Sequence, residues 1–220
     1  MIDPLGSFDW STLYARYDEK CQRFEQSVKY LNVFSPRPKS DRALYYILTG
    51  HLDRGKSGWR VINLSIYEAM IYWKLYSQPA AIKNVLERAR SSKTKPHWEN
   101  EIKRISSYLP KLMSRDVGSI MTLIKGIDEY PLFGMKSSDA LPVRTTFLHF
   151  LYPAVVPIFD KMVLRAVGVE QKNANKCCSY LRLYIQHVWE LADRYSSCFP
   201  SYAKETPIRL IEMALWVERG

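Results

Sequence analysis

The 220-residue chain lacks any uninterrupted apolar run of the ~20 residues that a membrane-spanning helix needs. Its amino terminus, MIDPLGSFDW, has an acid and no basic residue before its apolar positions, which is unlike a secretory signal. Hydrophobic residues make up 47% and charged residues 25%, a balance that is typical of a globular domain and excludes global disorder. We therefore expect a cytoplasmic protein without a membrane partner.

Cysteine is scarce and is not arranged as a metal site. No C-x-x-C pair occurs, and no two histidines are spaced i, i+4 with an acidic partner nearby. The four cysteines are Cys21, Cys177, Cys178 and Cys198, and the four histidines are His51, His97, His149 and His187. We predict no metal and no cofactor. We expect His149, within FLHFL, to be a neutral, hydrogen-bonded histidine of the core or of a cleft.

Two common catalytic signatures are also missing. No serine lies in a G-x-S-x-G context, so the pattern of a serine hydrolase is absent. The run Gly55-Lys56-Ser57 is similar to the end of a P-loop, but the preceding strand and the earlier glycine are absent.

Alternation typical of a strand and internal repeats are absent as well, whereas apolar spacings of three and four recur along the chain. The pattern predicts one long helix over 9–31, a buried central helix over 59–77 and another long helix over 172–197. Pro207 is expected to begin the last helix. We predict an all-α protein of roughly eight to eleven helices. The chain forms one domain over 1–220, or two lobes that meet near 129–139.

Acidic residues are outnumbered, and the imbalance is local. The formal net charge is +10 and the isoelectric point is near 9.4. Residues 81–115 hold nine basic against three acidic side chains, and residues 36–60 hold six against two. Such clusters favour a polyanion, most often a nucleic-acid backbone, although a solvated surface has the same composition. The predicted nucleic-acid contacts in the first segment are Lys93, Lys95, Lys103 and Arg104.

The stretch LPVRTTFLHFLYPAVVPIFDKMVLRAVG, residues 141–168, carries the clearest functional signal. Two helical patterns meet there at a proline-rich elbow, and Asp160 follows Pro157 at the start of the second pattern. A carboxylate at a helix start accepts backbone amide hydrogen bonds and complements the helix dipole. The same carboxylate, if it lines a cleft beside aromatic rings, can act on a bound substrate.

This stretch resembles the helix-hairpin-helix DNA glycosylase superfamily, whose hairpin pattern L-P-G-V-G-x-x-T-A precedes a hydrophobic segment and a catalytic aspartate. Leu141, Pro142, Val143 and Thr145 or Thr146 match the hairpin, and Asp160 matches the aspartate. Both hairpin glycines are absent. The run T-x-F-L-H-F-L-x-P also resembles the shared core of a prokaryotic family of helical proteins.

The resemblance implies an all-helical, basic protein that acts on the N-glycosidic bond of DNA. Asp160 would be the catalytic residue, and Arg144 would contact nucleic acid. Arg144 stands near the lysine nucleophile of the bifunctional members, and an arginine cannot form a Schiff base because it stays charged. The resemblance therefore implies a monofunctional enzyme. Its base pocket would be lined by Phe147, Tyr152 and Phe159.

Three hypotheses remain open from the sequence. The first is a monofunctional glycosylase or a glycosylase-like protein that binds DNA lesions. The second is a helical nucleic-acid-binding or regulatory module without catalysis, in which Asp160 only caps a helix. The third is a protein-interaction scaffold whose charge serves solubility. DNA is the expected partner in preference to RNA, and the direction of the Asp160 side chain separates the first hypothesis from the second.

Overall fold

The computed structural model describes residues 1–21, 24, 34–51, 64–78, 80–84, 107–126 and 141–219. Over these ranges the chain forms α-helices and no strand, which confirms the all-α prediction; residues 80–84 are helical, in addition to nine helices with assigned bounds. The helices are α1 (Leu13–Lys20), α2 (Asp41–His51), α3 (Leu64–Leu75), α4 (Leu109–Met113), α5 (Val117–Gly126), α6 (Leu141–Leu151), α7 (Lys161–Ala166), α8 (Cys178–Arg194) and α9 (Pro207–Glu218). Within the same ranges no helix has both the length and the apolar character needed to cross a bilayer. The predicted lobe seam near 129–139 lies outside the described residues.

Helix α9 is the centre of the fold. It begins at Pro207 as predicted, with the Thr206 side chain accepting the amide hydrogen of Arg209. The helix packs against α1, α7 and α8, and its side chains are buried nearly all round. Two of those buried side chains, Arg209 and Glu212, are charged residues in an otherwise apolar helix. A helix buried on every side must pair its polar groups internally, which concentrates charge inside this core.

Helices α3 and α6 pack against each other and against α2. The predicted buried helix over 59–77 is confirmed for its described part, because α3 has buried side chains on all sides. Trp73, for example, is 6% exposed. Helix α6 also contacts α5, so its residues from Arg144 to Leu151 are all buried. The two helices form one side of the core, and α9 forms the other.

Two predicted long helices are shorter in the structure. The helix predicted over 9–31 begins with a 3₁₀ turn and ends at Lys20, after which Phe24 packs edge-on against Tyr72 and Tyr76. The helix predicted over 172–197 begins only at Cys178, because Cys177 has an extended backbone.

The elbow at 152–159 links α6 to α7 and is almost entirely buried. Backbone amides and carbonyls in a buried loop need partners, and here five side chains from other elements supply them. The pairs are Thr145 with the Phe159 amide, His149 with the Val156 carbonyl, Trp189 with the Val155 carbonyl, Thr206 with the Pro153 carbonyl, and Glu212 with the Ile158 amide. These bonds place Asp160, the next residue along the chain, at a defined point beside α9.

Candidate functional site

A cleft of about 850 Å³ opens between α1, α3, α7 and α9. This volume lies within the ~300–1,000 Å³ typical of small-molecule sites. Its walls combine aromatic rings with charged side chains from helices that are far apart in sequence. The side chains relevant to chemistry are Tyr17, Trp73, Lys74, Asp160, Arg209, Glu212 and Trp216. This composition is typical of a site for a polar ligand that has a flat ring.

Asp160 is the N-cap of α7 and lines this cleft. Its Oδ1 accepts the amide hydrogens of Met162 at 2.8 Å and Val163 at 3.1 Å. Its Oδ2 accepts a hydrogen bond from Lys74 Nζ at 2.8 Å. The side chain is 22% exposed, and that of Lys74 is 10% exposed. Both oxygens are therefore engaged, one by the start of its own helix and one by a lysine in the cleft. The side chain is directed at the amides of its own helix, as the second hypothesis expects, while Oδ2 contacts a lysine of the cleft.

These contacts keep Asp160 ionised. Burial acts to raise the pKa of the Asp160 carboxyl, but Lys74 and the two amides outweigh it, so the pKa lies below its ordinary value. At neutral pH the group is a carboxylate. Such a group can stabilise positive charge that develops on a ligand, and it has no proton to donate.

A second charged centre forms the floor of the cleft around Arg209. The guanidinium Nη2 donates a hydrogen bond to the Tyr17 hydroxyl at 2.5 Å, and that hydroxyl donates to Asp41 Oδ1 at 2.8 Å. Arg209 lies 3.7 Å from Asp41 Oδ1 and 3.6 Å from Glu212 Oε2. Its guanidinium also sits 4.9 Å from the ring centroid of Trp73. One buried cation is thus shared by two buried carboxyl groups.

His149, beneath the elbow, is neutral. Its Nδ1 lies 2.7 Å from the Val156 carbonyl oxygen, which can only accept, so Nδ1 carries the hydrogen. Its Nε2 then accepts from the Tyr45 hydroxyl at 2.9 Å. Burial, with a smaller contribution from Arg209, lowers the pKa of His149 to about 3. The prediction of a neutral, hydrogen-bonded histidine is confirmed.

The predicted aromatic pocket is wrong in its membership. Phe147, Tyr152 and Phe159 do not line the cleft, and they are 3%, 4% and 0% exposed. They lie in the hydrophobic core beneath the elbow, where Phe159 packs 5.6 Å from the ring of Tyr184. The rings adjacent to Asp160 in sequence point inward, because the elbow is itself part of the core.

Arg144 is also misassigned as a nucleic-acid contact. It is 1% exposed on α6, and burial lowers the pKa of its guanidinium. A phosphate backbone does not reach a side chain that is 1% exposed. The residues matched to the hairpin, 141–146, lie within α6 and do not themselves form a hairpin. The remaining predicted contacts, Lys93, Lys95, Lys103 and Arg104, lie outside the described residues.

The cleft also contains charged residues that were not predicted from the sequence as site residues. Lys74 contacts Asp160, and Arg209 and Glu212 form the cleft floor. One signal could have identified them, since each is a charged residue among mostly apolar residues of its helix. Such residues are rarely buried without a partner, so they indicate an internal polar site.

Exposed cations flank the cleft on the α7 side. Lys161 follows Asp160 directly, lines the cleft and is exposed. Arg165 lies one helical turn further on, and Lys172 follows in the loop beyond α7. Both are exposed, with Glu170 as the nearby acid. This surface is available to an anionic chain that passes the mouth of the cleft.

Within the described ranges no group of three or more histidine, cysteine, aspartate or glutamate side chains is close enough to hold a metal ion. The cleft is lined by acidic, basic and aromatic side chains. Comparison of the chain with protein-family models, with curated proteins and with solved structures finds no match in any of the three. Function is consequently inferred from the geometry of the cleft.

Proposed function

We propose that this protein binds DNA and hydrolyses the N-glycosidic bond of a nucleotide whose base has left the stack and entered the cleft. The observation that supports it is a fixed, ionised carboxylate, Asp160, in the wall of a cleft whose lining also includes the buried Trp73 and the half-buried Trp216, with Arg219 over the Trp216 ring. Enzymes that act on a base extrude it into a pocket and hold it by stacking and hydrogen bonds.

The chemical role of Asp160 follows from its charge. As the bond between C1′ and the base breaks, positive charge develops on the sugar, and a nearby carboxylate lowers the energy of that state. Lys74 and the two helix amides hold the carboxylate in one orientation, so little reorganisation is needed when charge develops. Asp160 would act by electrostatic stabilisation.

The positions of the cations support a nucleic acid as the substrate. Lys161 lines the cleft, and Arg165 lies one helical turn further along α7; both are exposed. Phosphate contacts from such residues position a strand without reading its sequence. A flipped nucleotide in the cleft would leave its flanking phosphates near these side chains.

A second candidate function is binding of an extruded nucleotide without cleavage. It is favoured by the engagement of both Asp160 oxygens, which is also what a purely structural cap requires. In this case the carboxylate stabilises α7 and the cleft recognises an unpaired base.

The test compares Asp160→Asn with Asp116→Asn. Asp116 also precedes a helix, α5, and accepts the Gly118 amide hydrogen at 2.9 Å, but it does not line the cleft. Asparagine caps helices about as well as aspartate, but it removes the charge that Lys74 contacts, so Asp160→Asn should lower the unfolding free energy by about 1.5–3 kcal/mol and leave the protein folded.

Both variants and the wild type are incubated with duplexes that contain hypoxanthine, uracil, 8-oxoguanine or 3-methyladenine, and base release is measured. The proposed function predicts release of at least one base, a loss of about 10²-fold or more in Asp160→Asn and no change in Asp116→Asn. Binding of a lesion duplex without release by the wild type would support the second candidate. Wild-type release that persists in Asp160→Asn would remove Asp160 from the chemistry.

A further inference from the structure

Glu212 is a buried carboxyl group at the floor of the cleft, and the proposed function does not use it. It is 2% exposed and lines the same cleft as Asp160. Its Oε1 accepts the amide hydrogen of Ile158, two residues before Asp160. Its Oε2 is buried and, among the described residues, receives no hydrogen bond. A buried polar oxygen without such a partner requires an explanation, and at a cleft wall a bound ligand atom can supply the missing hydrogen bond.

The two nearest candidate donors are committed elsewhere. His149 Nδ1 lies 3.8 Å from Glu212 Oε2, but its hydrogen is donated to the Val156 carbonyl. Arg209 Nη1 lies 3.6 Å away, beyond hydrogen-bond distance, and Nη2 of the same guanidinium donates to Tyr17. Neither group satisfies Oε2.

Arg209 lies between two carboxyl groups, those of Asp41 and Glu212, and charge balance makes Glu212 the neutral one. Asp41 accepts a hydrogen bond from the Tyr17 hydroxyl, which favours its ionised form. Burial raises the pKa of Asp41 to about 6 and that of Glu212 to about 8, with Arg209 opposing both shifts. At neutral pH the single positive charge of Arg209 is therefore balanced by Asp41, and Glu212 keeps its proton.

Groups on every neighbouring element act on this proton. Lys74 on α3 favours the ionised form of Glu212, and Asp160 at the start of α7 opposes it. Tyr184 on α8 and Tyr45 on α2 are buried phenols with raised pKa values, so they are neutral here. His149 on α6 is neutral as well. The protonated carboxyl consequently has a hydrogen at Oε2 and no acceptor for it among these groups.

We propose that Glu212 donates this proton to the nucleobase in the cleft, and that the ligand is a nucleotide whose base presents an unprotonated ring nitrogen or a carbonyl oxygen there. The inference rests on the proposed function for its reaction. In the bound state Oε2–H donates a hydrogen bond to the base.

During cleavage the proton moves from Oε2 to the base. The bond between C1′ and the base nitrogen breaks, and its electron pair stays with the base, which leaves neutral. Asp160 faces the cationic sugar, and water adds to C1′ through its oxygen. The proton that this water loses passes to solvent through the open cleft, and Glu212 takes up a proton from solvent.

The test uses Glu212→Gln, a neutral isostere of the protonated acid. Its carbonyl can accept from Ile158, and its NH₂ group can donate to the base but cannot transfer a proton. Glu190→Gln on α8 is the matched control, because Glu190 is 70% exposed and does not line the cleft. The probes are duplexes with 2′-fluoroarabino forms of hypoxanthine, uracil or 8-oxoguanine, which bind without cleavage, and their cleavable counterparts.

We expect wild-type affinity for a 2′-fluoroarabino duplex to fall as the pH rises from 7 to 9, through the pKa of about 8 for Glu212. Glu212→Gln should match the wild type at pH 7 and lose this pH dependence, and Glu190→Gln should keep it. With cleavable duplexes Glu212→Gln should release base about 10²-fold more slowly or worse, which is the usual contribution of a general acid.

The outcomes separate this inference from the proposed function. Binding with the expected pH dependence but without base release would contradict the glycosylase activity and support the contact between Glu212 and the base. Base release whose rate and pH profile are the same in Glu212→Gln overturns the inference and leaves the activity standing. Wild-type binding that is independent of pH between 7 and 9, or no binding of any duplex, also overturns the inference.

Discussion

The starts of α5 and α7 are built from the same local chemistry and have different surroundings. Asp116 precedes α5 and accepts hydrogen bonds from the Gly118 amide and the Ser119 hydroxyl, which hold its pKa below the ordinary value. Asp160 precedes α7 and accepts two amide hydrogens in the same way. Up to this point the two helix starts are equivalent.

The difference lies in what surrounds each cap. Beside Asp116, Arg115 pairs with Asp193 at 2.8 Å, and those side chains are 34% and 69% exposed. Asp160 instead meets Lys74 in a cleft whose floor contains Arg209 and Glu212. Water screens the first group of charges, whereas the second is held in a low-dielectric interior. An N-cap is thus a local feature. Whether the capping carboxylate can take part in chemistry depends on the residues that tertiary structure places near it.

The largest effect is expected from Arg209→Met, which removes the cation from the floor beneath Asp160. Asp41, the ionised partner, would lose its counter-charge, and breaking a buried pair in this way costs about 3–5 kcal/mol. Urea unfolding measured by circular dichroism gives the value. Arg115→Met at the start of α5 is the control, with a loss below about 1 kcal/mol. Equal losses in the two variants would contradict the distinction between the regions.

An intermediate effect is expected from Lys74→Met, which removes the cation that contacts Asp160 in the cleft. A hydrogen bond to a charged, partly buried group contributes about 1.5–3 kcal/mol, so unfolding free energy should fall by that amount at pH 7. Lys172→Met, at an exposed lysine, should leave stability nearly unchanged.

The pH dependence of this loss is a further check. The folded pKa of Asp160 is depressed, so its contribution is present above the unfolded value of 3.8 and is lost as the pH falls through the folded value. The difference between wild type and Lys74→Met should therefore shrink towards pH 3. A difference that grows on acidification would show that Lys74 does not stabilise the ionised form.

The smallest effect is expected from Asp193→Asn, which breaks the ion pair beside the α5 start. The pair is exposed, so the loss should be about 0.2–1 kcal/mol and should decrease at high salt. Urea unfolding at two salt concentrations measures both quantities. A loss comparable to that of Lys74→Met would mean that exposure does not separate the two regions.

Several features of the molecule could be predicted from the sequence because they depend on neighbours within one or two helical turns. The all-α class follows from recurring apolar spacings, and the start of α9 at Pro207 follows from the restricted backbone of proline. The cap formed by Asp160 needs only the amides of the next three residues. The neutral state of His149 was expected from its apolar sequence context.

Other predictions were wrong where packing against residues distant in sequence determines the position of a helix end or a ring. The helix predicted over 9–31 ends at Lys20, because Phe24 packs against α3 rather than continuing the helical face. Phe147 and Phe159 were predicted to line a pocket beside Asp160, yet their rings are buried in the core. Apolar periodicity identifies buried residues, but it does not say which of them border a cavity.

The composition of the cleft was decided by tertiary structure alone. Lys74 and Asp160 are 86 residues apart in sequence, and Arg209 and Tyr17 are 192 apart. Local hydrogen bonding and periodicity act over a few residues and cannot specify such pairs. They form because α9 is buried on nearly all sides, so its two buried charged residues, Arg209 and Glu212, must find partners on the elements that cover it. By itself the sequence determined the helices, the cap and the basic charge, and packing around α9 determined which acids, cations and rings share one cleft.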